Sequence, residues 1–307
     1  MTGPGLLLNG LDGSNPLGFL AAIGTAVVLQ DVFPEIRLGW EQAEGGWRPS
    51  LAGCNDDEQE FLEKLLEALK DASMTVFDVD NRMPFDAEKF SHKLREVQCC
   101  SSIADRRDAD FLSSFGTELY PDEKNGQFQD SRFRMVRSGD SKGQGLPFYA
   151  RKMRKDLRVD HVRRTLFHTW DYEDEGYSLR WDPIEDQRYA LRWHDPSLKK
   201  YKQGTMLAAN SLAIEALQGF PVVMPVGNQA QTTGFQRVGR RETYFVWPIW
   251  TPMVGMETVR SLLALDDLCK EPVPRSSLVK RGIEEVYRSQ RIQQTQYYSN
   301  FLAAIPA

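Results

Sequence analysis

Leu6 to Leu51 reads LLLNGLDGSNPLGFLAAIGTAVVLQDVFPEIRLGWEQAEGGWRPSL, and three elements are legible in it. Leu6 to Asn9 predicts a short buried strand. Leu11 to Pro16 is a turn in which Ser14 or Asn15 can cap a helix, with Pro16 in the first turn where its missing N–H costs nothing. The helix, Leu17 to Gln30, is apolar nearly all round, and Gly18, Ala21, Ala22 and Gly24 let another backbone come close, so it belongs in the core. Ile36 to Glu41 and Trp47 to Leu51 flank Ala43-Glu-Gly-Gly46, the pattern of a β-hairpin. A strand, a buried helix and a hairpin in succession point to an α+β fold, mixed helices with antiparallel sheet, rather than a repeating βα chain.

The composition agrees with a globular protein: of 307 residues, 41% are hydrophobic and 26% charged. The longest apolar run, Phe19 to Leu29, is too short for a bilayer of about 30 Å, and the first residues lack a basic signal-peptide region, so neither a membrane span nor export is expected. Cys54, Cys99, Cys100 and Cys269 show no CxxC spacing, which predicts reduced thiols and a cytoplasmic location.

Apolar spacing predicts helices over Asp56 to Lys70, Pro84 to Ser101, Asp108 to Gly116 and Gly204 to Gly219. Strands are expected at Tyr177 to Trp181, Phe220 to Val226, Thr232 to Arg237 and Thr243 to Trp250, and a short helix at Glu257 to Leu268. Gly282 to Ala304 fits either a strand or a helix.

Charge changes sign in the middle of the chain. Ser131 to Arg164 carries eleven Arg or Lys against three Asp, a local net of +8 in a chain of formal net −5, which leaves about −13 elsewhere. Tyr120 to Gly145 reads as an irregular or mobile loop, and Phe148 to Phe167 as one basic helix. Together they form a basic loop-helix insertion, residues 121–168, between an N-terminal α+β part (1–120) and a C-terminal α+β part (169–307), two parts that can close into one continuous domain. Such a stretch is an electrostatic footprint for phosphate, although long helices with solvated basic faces are ordinary. The candidate nucleic-acid contacts are Arg132, Arg134, Arg137, Lys142, Arg151, Lys152, Arg154, Lys155, Arg158, Arg163 and Arg164, with Arg240 and Arg241 in a second basic turn. Phe133 and Tyr149 are candidates to stack on bases.

The signatures HExxH, GxxxxGK[ST] and GxGxxG are missing. His161 and His168 lie seven apart without an obvious carboxylate, and His194-Asp195 is a dipeptide and no more. Asp182, Glu185 and Asp186 cluster, but Asp182 as a helix cap before Pro183, with Glu185 in the capping-box region, accounts for the same letters. A non-catalytic protein without cofactor or metal is expected.

Several blocks resemble proteins of type I-G (formerly I-U) CRISPR-Cas loci: Leu8 to Gly24, Ser178 to Arg192 with Asp195-Pro-Ser197, and Ala208 to Val226 leading through Thr232-Thr-Gly-Phe235 to Phe245-Val-Trp-Pro-Ile-Trp250. The resemblance implies a large-subunit-like or accessory component of an RNA-guided antiviral interference complex. Its partners would be the other effector subunits, guide RNA or target DNA, and a separate helicase-nuclease that performs cleavage. Two other expectations compete with this one: an adaptor docking its basic segment on an acidic partner subunit, and a metal-dependent nuclease using Asp182, Glu185 and Asp186.

Overall fold

The computed structural model describes residues 5–43, 45–54, 56–73, 75–78, 86–102, 106–119, 121, 126–137, 139–190, 204–223, 230–239 and 242–307. The opening block folds as its letters direct. Strand β1 (Leu6–Leu7) leads through the turn into α1 (Pro16–Leu29), where Asn15 is the N-cap and its side-chain oxygen accepts from the Leu17 and Gly18 amides. Strands β2 (Arg37–Ala43) and β3 (Gly46–Ala52) pair antiparallel with Trp40 opposite Pro49, and β1 adds to the far side of β3. Gly46, at φ 135°, occupies a turn conformation that side chains disfavour.

Asp57 caps α2 (Glu58–Asp71), which buries Phe61, Leu62, Leu65 and Leu69 on one face. Helices α3 (Ala87–Cys100) and α4 (Arg107–Phe115) follow; then β4 (Gly116–Thr117) pairs with β5 (Gln129–Asp130). The described residues of the predicted loop are mostly irregular but not loose. Phe128 stacks on Phe90 at 4.6 Å, and Phe133, 2% exposed, meets Trp181, Phe220, Phe235 and Phe245 at ring distances of 4.9 to 5.9 Å. The expectation that Phe133 stacks on bases is therefore corrected: it is the hub of an aromatic cluster. Its irregular spacing from Phe128 and Met135 hid three core anchors inside a polar stretch.

The single basic helix is two: α5 (Leu146–Asp156) and α6 (Val159–Phe167), separated by extended backbone at Leu157 and Arg158. The break is fixed by His161, whose Nδ1 accepts the Arg158 amide at 3.2 Å. Strand β6 (Asp174–Glu175) pairs with β7 (Gly204–Thr205), and α7 (Pro183–Ala190) lies between them in sequence. Tyr177 to Trp181, expected as a strand, is irregular, because Arg180 at φ 62° turns the chain.

Helix α8 (Leu207–Ala216), buried at every residue, packs along α1. A Cβ placed on Gly24 would lie 1.8 Å from the Leu212 carbonyl oxygen, so the glycine sets how closely the two helices approach. Apolar on all sides, the pair must be enclosed on all sides.

Strands β8 (Val222–Val223) and β9 (Gln231–Thr232) form a small ladder. The larger sheet runs β10 (Phe235–Val238), β11 (Glu242–Trp250), β12 (Ile283–Gln293), β13 (Ser299–Phe301), all antiparallel; α9 (Met256–Leu263) and α10 (Arg275–Val279) fill the connection from β11 to β12, and β14 (Ile305–Pro306) also pairs with β12. The undecided C-terminal segment is thus two strands, β12 and β13. A bulge sets Ile249 opposite Glu285 but Trp250 opposite Ile283, so the buried Ile283 and Val286 fall three apart rather than two. Phe19 of α1 joins the sheets, lying 5.6 Å from Trp40 and 5.8 Å from Trp247.

The fold is α+β. One core draws side chains from all three stretches, including Leu20, Phe61, Phe133, Met153, Leu166, Leu212 and Trp247, so the basic segment is woven into it. Among the described residues no helix is long and apolar enough to cross a membrane.

Candidate nucleic-acid interface

The basic residues do not line one track. Arg134, 4% exposed, is ion-paired with Asp130 and Asp140. Arg154 is buried on α5, where it meets Glu215 and donates to the Ala72 carbonyl at 2.6 Å, while Arg107 holds the other Glu215 oxygen at 2.6 Å. Arg164 grips Asp171 at 2.7 Å and Asp174 at 3.2 Å, and its hydrogen bonds to Asp171 raise its already high pKa. Arg163 pairs with Glu58 at 3.1 Å and Arg158 meets His161 Nε2 at 3.1 Å, while Arg151 donates to the Phe77 carbonyl. These arginines hold α5 and α6 to the body; buried ones of this kind cannot turn outward without leaving their carboxylates unpaired.

Lys142, Lys152 and Lys155 are exposed, with Lys152 lying 4.9 Å over the Tyr177 ring. The Tyr177 hydroxyl donates to Asp156, which pushes its pKa up to about 12. Arg240 and Arg241 lie outside the described residues.

Two members of the predicted set do come together, and the fold adds two more. Arg132 is exposed, and Arg137 reaches Asp130 at 3.1 Å. Arg291 of β12 donates from Nε to the Arg132 carbonyl at 3.0 Å and from Nη2 to the Arg134 carbonyl at 3.4 Å. Arg237 of β10 stands opposite Thr243 of β11, and Tyr244 stands opposite Gln290. Continuing that register by one residue puts Arg291 level with Thr243, so Arg237 and Arg291 share a face two strands apart, about 10 Å.

The four guanidinium groups feel one another. Burial, then the like charges of Arg132 and Arg137, lower the Arg291 pKa to about 10, against the pull of Asp130; it stays charged at neutral pH. Although Arg132 keeps solvent access, desolvation by the chain around it lowers its pKa, with Arg237 and Arg137 adding to the effect and Asp130 opposing it. Asp130, the carboxylate in this group, is already shared between Arg134 and Arg137. Positive charge crowded in this way is relieved by an incoming anion. Neither Arg237 nor Arg291 stands out in sequence, since each is a lone arginine in a strand and only the sheet register brings them to Arg132.

The acidic cluster is occupied. Asp182 accepts from the Asn15 amide and the Ile184 backbone N–H, both at 2.8 Å, and from the Tyr172 hydroxyl at 2.9 Å. It therefore caps α7. Glu185 accepts from the Ser178 and Thr205 hydroxyls. The Asp186 side chain lies outside the described residues; among those described, no group of three or more His, Cys, Asp or Glu is placed to hold a metal ion. Beside this network a cavity of about 240 Å³ opens between the first turn (Asn9, Asp12) and Arg48, Trp170 and Tyr172.

No protein-family model matches the chain, and no curated protein matches it.

Proposed function

We propose that the protein is a non-catalytic nucleic-acid-binding component of an RNA-guided, CRISPR type I-G-like interference complex, and that it holds backbone phosphate at Arg132, Arg137, Arg237 and Arg291. The observation that carries the reading is the crowding of Arg132, Arg137 and Arg291 beside Asp130, with Arg237 adding like charge against Arg132. The resemblance of the Leu8 to Gly24 and Ser178 to Arg192 blocks to proteins of those loci supports the system; in it, base pairing reads sequence and protein supplies backbone contacts. The task of the site is electrostatic, so its affinity falls steeply with salt. Changing Arg132, Arg137 and Arg291 together to Gln should flatten the slope of log K against log salt by about 2 to 3. A triple variant that keeps its melting temperature and binds DNA and RNA like the parent overturns the proposal.

A second reading, an adaptor docking on an acidic subunit, draws on Lys142, Lys152 and Lys155, which the basic segment keeps exposed. It predicts a salt-sensitive complex with a protein partner and no affinity for free nucleic acid.

A further inference from the structure

The arginine cluster borders a turn that carries aromatic rings. Residues 294–298 connect β12 to β13, closed by the Gln294 and Thr295 amides, which donate to the Tyr298 carbonyl at 3.0 and 3.2 Å. The 131–137 segment is stitched to this turn: the Arg137 amide donates to the Tyr297 carbonyl at 2.9 Å, the Ser299 amide to the Met135 carbonyl at 3.0 Å, and Val136 bridges Tyr298. The main chain that places Arg132 and Arg137 therefore also places the two tyrosines. Tyr297 is 50% exposed, a large ring turned to solvent beside a knot of positive charge. Tyr298 carries the Arg180 guanidinium over its ring at 4.9 Å, and Arg180 adopts its left-handed backbone conformation in doing so.

Duplex DNA presents two rows of phosphate and keeps its bases stacked inside. A short cluster of charge next to an open ring matches a single strand better, because an unpaired base has a face free to stack while its phosphates meet the guanidinium groups. We propose that Arg132, Arg137, Arg291 and the Tyr297–Tyr298 turn form one site for single-stranded nucleic acid, with phosphates on the arginines and a base on Tyr297. This rests on the nucleic-acid reading above and narrows it to one strand.

Fluorescence anisotropy tests it, using labelled dT12, rU12, a 12-base-pair DNA duplex and a poly-glutamate peptide against the full chain. The expected result is tighter binding of the single strands than of the duplex by about tenfold. Tyr297→Ala should weaken dT12 binding by about fivefold or more and Tyr297→Phe should leave it intact; neither should change duplex binding or the melting temperature, since the ring is exposed. Equal affinity for duplex and single strand, or a Tyr297→Ala variant that binds dT12 like the parent, overturns the single-strand site while leaving the phosphate reading in place. If poly-glutamate binds and no nucleic acid does, both fall and the acidic-partner adaptor takes their place.

Discussion

Asn15 and Asp182, 167 residues apart, share a buried hydrogen bond of 2.8 Å that joins the cap of one helix to the cap of another. Asn15 Oδ1 serves the first amides of α1 while its Nδ2 serves Asp182, whose oxygens also take the Ile184 amide and the Tyr172 hydroxyl. Asp182→Ala removes the α7 cap and takes the acceptor from the buried Asn15 amide and the half-buried Tyr172 hydroxyl, so it should destabilise the fold by about 2 to 4 kcal/mol in urea titrations, with Asp182→Asn costing less. A loss below about 0.5 kcal/mol on Asp182→Ala would show that this junction does not hold the two halves together.

The approach of α1 to α8 makes Gly24 the most sensitive small residue in the helix. Gly24→Ala sets a methyl carbon 1.8 Å from the Leu212 carbonyl oxygen, and the helices must separate. Destabilisation of about 3 kcal/mol or more is expected, seen as a large drop in melting temperature or as insoluble protein, despite alanine's better helix propensity.

Charge reversals in α5 should split by burial. Glu in place of Arg154 sets a second carboxylate against buried Glu215 and should unfold the chain, at a cost of about 3 to 5 kcal/mol or more. Lys152→Glu and Lys155→Glu, both on the exposed face, should shift stability by less than about 1 kcal/mol. Circular dichroism of the three variants separates structural arginines from surface lysines before any binding assay is read.

Acid should weaken the clamp on α6. Partial burial raises the Asp171 pKa, but the hydrogen bond from Arg164, the Glu173 amide and the Arg164 charge outweigh it and hold the carboxyl below its ordinary value. A carboxylate with a lowered folded pKa stabilises the fold above its unfolded pKa, near 4, and loses that contribution as pH falls toward the folded value. Melting temperatures followed from pH 6 to pH 3 should therefore drop less steeply in Asp171→Asn than in the parent.

Thiol reactivity should follow exposure. Cys99 and Cys100 are exposed, whereas burial pushes the Cys269 thiol up to about 11. With excess iodoacetamide at pH 8, peptide mass spectrometry should find Cys99 and Cys100 alkylated first and Cys269 last, unless denaturant is added.

Much of the fold was legible because local rules and burial agree there: Asn15 before Pro16, the hairpin around Gly46, and the Leu spacing of α2 all mean what they say. The β12 strand was not, since a bulge with Trp250 pushes its apolar residues out of a two-residue period. The candidate interface was legible only as a sum of charge. Counting arginines in 131–164 gives no sign that Arg154 and Arg164 have carboxylates waiting, because Glu215 is 61 residues from Arg154 and Asp174 is ten from Arg164. The fold also recruits Arg237 and Arg291 by strand register, which linear spacing does not encode.

Phe133 sits between Arg132 and Arg134 and is walled by Phe220, Phe235 and Phe245, while Arg291 arrives later still on β12. A growing chain that has emitted residues 131–137 thus owns the arginines but has neither the wall that fixes their backbone nor the strand that completes the cluster. The arginine cluster is a late product of synthesis: a fragment ending before residue 291 keeps the whole basic segment, 131–164, and lacks the cluster. Whatever charge crowding these arginines create exists only once β12 has been made and has folded against residues 131–137.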